Sequence, residues 1–485
     1  MLYNTNKRKW QILRIDSKIH RNIKMIYENE KTTLEITDFG DNGCGVGRID
    51  GLIIFVMPEV GPDTVPQNDS IIPVVGDVLE IIITKMKKKY AVAKIISVKK
   101  PSPFRIDPKC KYAGQCGGCA FAYTSYNKQL EIKKSHVVDC LTRIGKFKDF
   151  SIGDIVSMDT PFSYRNKAVM HIATRSANGT MDIGFFKKNS HDVVDCKTCI
   201  LQNDSVSFVY RALKKYAEGY GGCSEDDLDL RNVENVTVRT AFNTKEMMII
   251  FDSYKKYVGP AKKMIFYLND EINKSSYELK SLVFICNNKI NNVIGSTHIN
   301  EELIRDEKNG IHNEKHIYKF EISPKSFYQI NPVMTVKLYD KISEYAGLTK
   351  DSKILDIYCG TGSIGIWCAD SAKNVLGIES ERQAVLDANR NSVINGIINT
   401  RYICGKAEVE LPMILKGEKN CDVSSMVKEA DTVIVDPPRS GCKDELLESI
   451  IDVNPQKIIY VSWDVRDIIL YTCKYMYLYG HSVPR

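Results

Sequence analysis

Two segments near the end of the chain have residue types suited to binding a ligand that carries a ribose. Residues 354–365 run from an apolar stretch into a turn with glycines at Gly360, Gly362 and Gly365. Glycines at a strand-to-helix turn let a ligand approach the backbone closely. A second apolar stretch ends at Glu379, roughly 20 residues after the glycines, where a carboxylate can accept hydrogen bonds from two ribose hydroxyls. The spacing predicts a binding site at the end of a sheet.

The glycine spacing does not identify the ligand, because it also fits a nicotinamide dinucleotide site. A third apolar stretch ends in Asp436, Pro437, Pro438 and Arg439. Two consecutive prolines hold the loop after a strand extended, which favours a methyltransferase that uses S-adenosylmethionine. Enzymes that methylate planar nitrogen often have an aromatic residue where Arg439 stands. The arginine therefore favours a different class of base methyltransferase.

Three cysteines form a compact group at Cys110, Cys116 and Cys119, with two glycines between the last two. A fourth thiol would complete either a tetrahedral zinc site or an iron–sulfur cluster. Cys196 and Cys199 both lie where this fourth ligand is expected. Spacing alone leaves both metals open, although the gap between Cys110 and Cys116 suits the larger cluster.

The whole chain has the composition of a globular protein of about three domains. It has 485 residues, of which 43% are hydrophobic and 26% charged. No apolar run approaches the roughly 18–20 residues that cross a membrane, and the start of the chain is polar and basic. Fifteen cysteines without a secretion signal are expected to be reduced thiols or metal ligands. We expect a cytoplasmic protein that does not bind membranes.

The positive charge is concentrated in the first part of the chain. Residues 1–150 hold 25 basic and 16 acidic residues, whereas the remaining 335 hold 42 and 44, of a total net charge of +7. This asymmetry predicts an N-terminal module that binds a polyanion and a C-terminal module that does the chemistry.

Residues 31–100 show short β-branched stretches separated by glycines, which predict a small closed barrel of the OB kind. The segment Lys85–Tyr90 is a basic hairpin tip that ends in an aromatic ring. Such a tip suits single-stranded nucleic acid, or it is the lysine-rich end of an edge strand.

The rest of the chain is expected to alternate between helices and strands. Lys99–Pro108 is a linker with several prolines, and Ser125–Ile144 has the apolar spacing of a helix. A mixed segment follows, and from Ser323 the alternation predicts a doubly wound parallel sheet. The mixed segment contains four predicted strands, Met170–Thr174, Met181–Phe186, Met247–Phe251 and Ser281–Asn287.

Together these motifs resemble one family over about residues 30–480. Beyond the segments above, its marks are Ile36–Gly40, Gly43–Arg48, Tyr164–Lys167 and Ser323–Asn331. The chain resembles the bacterial RNA 5-methyluridine methyltransferases, in particular the iron–sulfur branch that acts on 23S ribosomal RNA and carries an N-terminal TRAM domain.

The resemblance implies methyl transfer from S-adenosylmethionine to C5 of a uridine in RNA, most specifically in 23S ribosomal RNA, by a monomer. It implies an α/β fold in four parts: a basic extension (1–30), an OB-like TRAM barrel (31–100), a central α+β iron–sulfur domain (101–320) and a Rossmann-like methyltransferase domain (321–485). It also implies site residues. A [4Fe–4S] cluster would be held by Cys110, Cys116, Cys119 and Cys199, and the methyl donor by Gln329, Tyr358, Glu379 and Asp436, with Ser363 as a weaker contact.

The sequence departs from the family at the reacting groups. Trp463 stands where the family has its nucleophilic cysteine, and an indole N–H cannot add to a pyrimidine. The family's proton-abstracting glutamate lies beyond Arg485, so the C-terminal domain is expected to be incomplete. Cys442, Cys359 and Cys473 are more simply packed thiols than substitutes. The alternatives are a catalytically inactive protein that binds RNA and cofactor, a truncated gene product, or a methyltransferase acting on another base atom.

Overall fold

The computed structural model describes residues 26–40, 43–58, 71–174, 180–220, 227–309, 312–418 and 423–462. The chain divides into two compact units, Met1–Arg105 and Ile106–Arg485. Among the described helices, none has the length and apolar character needed to cross a membrane.

The first unit contains one six-stranded sheet with the order β1-β5-β6-β4-β3-β2. Alternate residues of these strands are buried, as expected when one face of a sheet covers a core. The core consists of aliphatic residues such as Ile54, Leu79 and Ile81. The strands are β1 (Lys31–Glu35), β2 (Asp38–Phe39), β3 (Gly45–Ile49), β4 (Leu52–Met57), β5 (Val78–Met86) and β6 (Tyr90–Lys100).

This sheet curls until its first strand approaches β3. The backbone N–H of Thr37, just after β1, donates to the carbonyl of Val46 at 2.8 Å. A side chain at Gly47 would collide with the carbonyl of Glu35, so glycine is needed where the two strands meet.

The predicted linker begins inside this unit, because β6 continues to Lys100 and the next residues bond back to the sheet. Buried Asp77 accepts hydrogen bonds from the backbone N–H of Ser102 and from the guanidinium of Arg105. The boundary between the two units, at Arg105 and Ile106, falls inside the predicted linker, but its first residues are bonded to the sheet.

A seven-stranded sheet with the order β13-β12-β11-β10-β7-β8-β9 begins the second unit. Helices α2 and α3 cover one face of it around a core that includes Tyr216, Phe251 and Leu268. A π-helical turn, Cys140–Ile144, follows the first helix, and a short 3-10 turn, Leu230–Asn232, precedes β10. The elements are α1 (Tyr126–Asp139), β7 (Lys167–Thr174), β8 (Met181–Phe186), β9 (Val193–Asp195), α2 (Ser205–Tyr220), β10 (Val233–Thr240), β11 (Glu246–Ser253), α3 (Lys262–Ile272), β12 (Glu278–Cys286) and β13 (Lys289–Gly295).

A long hairpin and a parallel sheet complete the second unit. The hairpin is β14 (Ile299–Asn309) and β15 (His312–Ile322). The five-stranded sheet has the order β18-β17-β16-β19-β20, and every neighbouring pair in it is parallel. Its elements are α4 (Pro332–Ala346), β16 (Lys353–Ile357), α5 (Ser363–Ala369), β17 (Asn374–Glu379), α6 (Arg382–Ile394), β18 (Thr400–Cys404), α7 (Ala407–Leu415), α8 (Ser424–Lys428), β19 (Thr432–Val435), α9 (Asp444–Val453) and β20 (Lys457–Tyr460).

The parallel sheet confirms the predicted α/β class for the C-terminal part. Its central strands are buried along almost their whole length, because helices cover both faces. Helix α4 begins where Asn331 caps the backbone N–H of Met334 and Pro332 occupies the first turn, and it ends at Gly347 in the left-handed region. Parallel strands end at a common edge, so Tyr358, Glu379 and Asp436 lie at the same end of the sheet.

Candidate cofactor site and cysteine cavity

The glycine turn after β16 leaves open space at its tip. Gly360 has φ +56°, and a side chain built there would meet no atom within 4 Å. Gly362, with φ +76°, has no such room, because an added Cβ would lie 2.6 Å from the hydroxyl of Tyr402. The first glycine therefore opens a cradle beside the backbone, and the second allows the turn to pack before α5.

Glu379 connects the end of β17 to this turn. One carboxylate oxygen accepts the backbone N–H of Gly360 at 3.1 Å. The other accepts the backbone N–H of Glu381 at 2.8 Å and the hydroxyl of Ser380 at 3.1 Å. A carboxylate offers about four acceptor positions, so Glu379 can brace the turn and still accept a further hydrogen bond.

Two buried carboxylates with unfilled hydrogen-bonding capacity lie at the same edge. Asp356 is fully buried, and its Oδ2 accepts the backbone N–H of Gly365 at 3.0 Å. No described group bonds to its Oδ1 or to Oδ1 of Asp436. Burial, reinforced by the nearby carboxylate of Asp436, raises the pKa of Asp356 to about 8, and burial raises the pKa of Asp436 to about 6. Unpaired buried oxygens are costly, so the edge is suited to a ligand with hydrogen-bond donors.

Asp356 was not among the predicted site residues. It lies inside β16, between Leu355 and Ile357, whereas the prediction used the apolar residues of this strand and the glycines that follow it. An acid in the middle of an otherwise apolar strand could have identified it, since a buried carboxylate needs a partner.

Tyr358 and Ser363 flank the glycine turn but have partners within the protein. The hydroxyl of Tyr358 donates to Glu408 at 3.2 Å, and burial raises its pKa. The hydroxyl of Ser363 lies 2.6 Å from that of buried Tyr339. Ser363 therefore helps to fix α4 against α5, and a ligand would have to compete with Tyr339 for its hydroxyl.

Gln329 lies on the segment between β15 and α4, which is held from two sides. Asn166 donates from its side chain to the carbonyl of Gln329 and from its backbone N–H to the carbonyl of Ile330, both at 2.9 Å. On the other side, buried Asp387 of α6 accepts the hydroxyls of Ser323, at 2.9 Å, and Ser326. These contacts join residues far apart in the sequence and bring Gln329 to the parallel sheet.

The same segment exposes an aromatic ring. The side chain of Phe327 is 58% exposed, although its neighbour Tyr328 is buried. Beneath the segment, the cross-strand neighbours Lys167 and Arg239 make no ion pair with any described carboxylate, and Arg239 donates to the carbonyl of Ser326 at 2.8 Å. Burial lowers the pKa of Lys167 to about 8 and that of Arg239 to about 10. The segment thus carries an exposed ring and is supported by two cations that have no carboxylate partner among the described residues.

The predicted cysteine ligands lie together around one cavity. Cys110, Cys116, Cys119 and Cys199 all line a cavity of about 70 Å³, and Cys196 lines it as well. The loop is held by a hydrogen bond from the backbone N–H of Gly117 to the carbonyl of Phe186 at 2.9 Å.

The thiols of this cavity influence each other. The Cys196 thiol donates to Cys116, which lowers the pKa of Cys116 to about 6, while burial and the neighbouring thiols raise the pKa of Cys119 to about 12. Five thiols around one cavity fit a group that binds several sulfurs. In the described part of the chain, however, no group of three or more His, Cys, Asp or Glu side chains is arranged to hold a single metal ion.

The expected position of the nucleophile, Trp463, lies outside the described residues, as does Cys473. The two other candidate thiols are described. Cys359 is buried, and burial raises its pKa well above the usual value, as expected of a packed thiol. Cys442 is partly exposed and accepts a hydrogen bond from the hydroxyl of Tyr460 at 3.7 Å.

The chain is similar to known proteins over most of its length. The tRNA (uracil-5-)-methyltransferase family matches residues 125–469, and the TRAM domain matches residues 26–96. An uncharacterized RNA methyltransferase of Clostridium tetani is 34% identical over 445 residues, covering 90% of this chain and 88% of the relative. One of Bacillus cereus is 33% identical over 444 residues, covering 90% and 89%.

A solved structure has the same fold. The crystal structure of Pyrococcus abyssi tRNA (uracil-54, C5)-methyltransferase in complex with S-adenosyl-L-homocysteine matches with a TM-score of 0.64 and 23% identity, covering 91% of this chain and 93% of that one. The resemblance expected from the motifs is confirmed by the family match and by the relatives. The chain belongs to the RNA uracil-5-methyltransferase family.

Proposed function

We propose that this protein binds S-adenosylmethionine at the end of the parallel sheet and transfers its methyl group to C5 of a uridine in RNA. The observation that carries the proposal is the open cradle at Gly360, braced by Glu379 and bordered by the unpaired oxygens of Asp356 and Asp436. Family membership supports the reaction type, since the matched family is one of uracil-5-methyltransferases.

The site residues can be assigned roles by their chemistry. Glu379 would accept a hydrogen bond from a ribose hydroxyl through its remaining acceptor position, because it is a carboxylate beside the cradle. Asp436 would accept a hydrogen bond through its unpaired oxygen, and Gln329 would supply an amide from the opposite side. Tyr358 would contribute a ring and Ser363 a hydroxyl at the turn.

RNA binding is proposed for the first unit and for the segment around Phe327. The curl of the first sheet supports an OB-like barrel, a fold that commonly binds nucleic acids. The basic segment Lys85–Tyr90 covers the end of β5, the turn and the first residue of β6, and Tyr90 is 37% exposed. A ring beside lysines can stack on a base while the lysines contact phosphates.

The proposed acceptor is ribosomal RNA of the 23S type, by resemblance to the iron–sulfur branch. A second candidate acceptor is transfer RNA, because the matched family description and the Pyrococcus abyssi enzyme both refer to tRNA. The cysteine cavity favours the first candidate.

We propose that this cavity holds a [4Fe–4S] cluster on Cys110, Cys116, Cys119 and Cys199. The cavity brings all four thiols together, although Cys196 is equally close to it. Such a cluster would act as a structural element, because methyl transfer to uracil has no redox step.

An alternative function is binding of RNA and cofactor without methyl transfer, and Trp463 is the observation that favours it. Uracil C5 is a weak nucleophile, and in this family a cysteine thiolate activates it by adding to C6. A base then removes the C5 proton so that the thiolate can leave. Tryptophan cannot replace the thiolate.

One experiment separates these functions. The purified chain is incubated with S-adenosylmethionine and transcripts of 23S ribosomal RNA or tRNA that carry tritium at uridine C5. Methylation at C5 releases this tritium into water, so release from the ribosomal transcript supports the proposal and release from tRNA alone supports the second acceptor. Binding of S-adenosylhomocysteine and RNA without tritium release would support the inactive binding protein.

A further inference from the structure

We propose that a surface formed by Tyr254, Lys255, Lys256 and Lys289, here called the sheet-end surface, binds the RNA strand next to the target nucleotide. These residues lie at the ends of β11 and β12, outside the first unit and outside the cofactor cradle. The inference rests on the proposed function, since it names a second contact for the same RNA.

The backbone of this surface is held rigidly. In the loop from 254 to 261, the ring of Tyr257 packs on Phe284 with ring centroids 4.7 Å apart. Its hydroxyl accepts the backbone N–H of Ala261 at 2.9 Å, and the side chain of Asn292 donates to the carbonyl of Gly259 at 3.0 Å. A loop fixed in this way loses little conformational entropy when it binds a partner.

The side chains of the same loop point away from these anchors into solvent. Tyr254 is 66% exposed and Val258 is 75% exposed, and Lys255 and Lys256 are exposed as well. The loop therefore presents an aromatic ring and two lysines together to solvent.

The charge of the surface identifies the partner as a polyanion. Among the described residues, no carboxylate forms an ion pair with Lys255, Lys256 or Lys289. Unshielded lysines beside an exposed ring are the combination that binds single-stranded nucleic acid, in which phosphates pair with the cations and a base stacks on the ring.

The position of Lys289 connects the surface to the candidate site. It follows a two-residue turn, Asn287 and Asn288, whose φ angles of +50° and +57° fit a tight hairpin. The ammonium of Lys325 donates to the carbonyl of Asn288 at 2.7 Å, and Lys325 belongs to the segment that carries Gln329. An RNA strand whose target base reaches the proposed methyl donor beside this segment would therefore have the sheet-end surface next to it.

The test measures the affinity of the full chain for a fluorescein-labelled, uridine-containing stem–loop RNA at several salt concentrations. The variants are a triple change, Lys255→Gln with Lys256→Gln and Lys289→Gln, and the single changes Tyr254→Ala and Tyr254→Phe. A matched control, Lys416→Gln with Lys428→Gln, removes exposed lysines at the ends of α7 and α8. Binding of S-adenosylhomocysteine and the thermal midpoint verify that each variant is folded.

We expect the triple variant to lower the slope of log affinity against log salt by about 2, because each phosphate contact contributes roughly 0.7 for single strands. Tyr254→Ala should weaken binding about tenfold, whereas Tyr254→Phe should keep the wild-type affinity because the ring still stacks. The control should match the wild type. If the wild type binds RNA and the folded variants bind it equally well, the proposal that the sheet-end surface binds RNA is wrong, whereas the proposed function is unaffected. If the wild type does not bind RNA, the proposed function itself fails.

Discussion

The carboxylate of Glu379 accepts the backbone N–H of Gly360 at 3.1 Å, so the acid at the end of β17 directly supports the turn at the end of β16. The two predicted motifs, which are separated in the sequence, thus form one structure before any ligand binds. Loss of the acid would remove a support of the turn and, in the proposed function, an acceptor for a ribose hydroxyl.

Glu379→Gln is therefore expected to weaken binding of S-adenosylhomocysteine by about 10- to 100-fold, because hydrogen bonds to a charged acceptor are stronger than those to an amide. Isothermal titration calorimetry measures this directly. Glu381→Gln is the matched control, since Glu381 is exposed and its side chain caps no backbone group. Equal affinity of Glu379→Gln and wild type would contradict the assigned role.

The raised pKa of Asp356 predicts a dependence of stability on pH. Its pKa in the folded protein is about 8, above the ordinary value of 3.8. Between these values the folded state holds a proton that the unfolded state has lost, so the free energy of unfolding falls as pH rises, by at most about 1.4 kcal/mol per pH unit.

Asp356→Asn should remove this contribution, because an amide does not titrate and its oxygen can still accept the backbone N–H of Gly365. Thermal midpoints measured from pH 5 to pH 8 should then fall less steeply for the variant than for the wild type. Parallel curves would show that Asp356 is not protonated in the folded protein.

Asp387 is predicted to be important for the segment that carries Gln329. Its buried carboxylate accepts the hydroxyls of Ser323 and Ser326 and pairs with the guanidinium of Arg390. Asp387→Ala should lower the free energy of unfolding by about 3 kcal/mol, since it leaves two buried hydroxyls without their acceptor. Arg390 keeps its ion pair with Glu321 and contributes less to the loss. Urea unfolding measures the loss, and Arg382→Ala, at an exposed position of the same helix, should change it little.

The cysteine cavity predicts how iron content depends on single thiols. Cys199→Ser should lose most of the iron and sulfide of protein purified without oxygen, because a [4Fe–4S] cluster needs four thiolates. Cys196→Ser should retain them if Cys196 only bonds to Cys116. If Cys196→Ser loses the iron and Cys199→Ser keeps it, Cys196 is the fourth ligand instead of Cys199. If the wild-type protein and both variants contain no iron, the proposed cluster is wrong.

Trp463 predicts the absence of a covalent RNA intermediate. With 5-fluorouridine RNA and S-adenosylmethionine, a thiolate that adds to C6 stays attached after methylation, because the fluorine at C5 cannot leave as a proton. The wild-type chain should form no such complex on a denaturing gel, whereas Trp463→Cys should form one, since this trap needs no base. A complex with the wild type would show that another nucleophile, such as Cys442, has replaced the cysteine.

Local sequence patterns predicted many helices and strands well, because an apolar stretch that ends in a glycine turn can adopt few other secondary structures. The strand Met181–Phe186 has the predicted bounds, and the predicted strands Met170–Thr174 and Met247–Phe251 lie inside β7 and β11. The predicted helix Ser125–Ile144 is α1 followed by a π-helical turn, and none of the residues of α1 is buried. The helical spacing of apolar residues therefore predicted the position of the helix, but not that its side chains remain partly exposed.

The candidate site was predictable only in part. Glu379 and Asp436 follow apolar strands and could be found by position. The contacts of Asp387 with Ser323 and Ser326, and of Asn166 with Gln329, join residues 61 to 163 positions apart. No local spacing encodes such pairs, since they arise from the packing of separate elements.

The hairpin β14–β15 has a further consequence for how the chain gains its structure. Tyr318 of the hairpin packs on Trp367 of α5, with ring centroids 4.7 Å apart, in a cluster that also contains Met248 and Val283 of the seven-stranded sheet. The seven-stranded sheet and the parallel sheet with its helices therefore share one hydrophobic cluster, to which the hairpin also contributes. The two sheets are expected to melt in a single cooperative transition, and a fragment that begins at residue 321 would leave Trp367 without its hairpin partner and associate with itself.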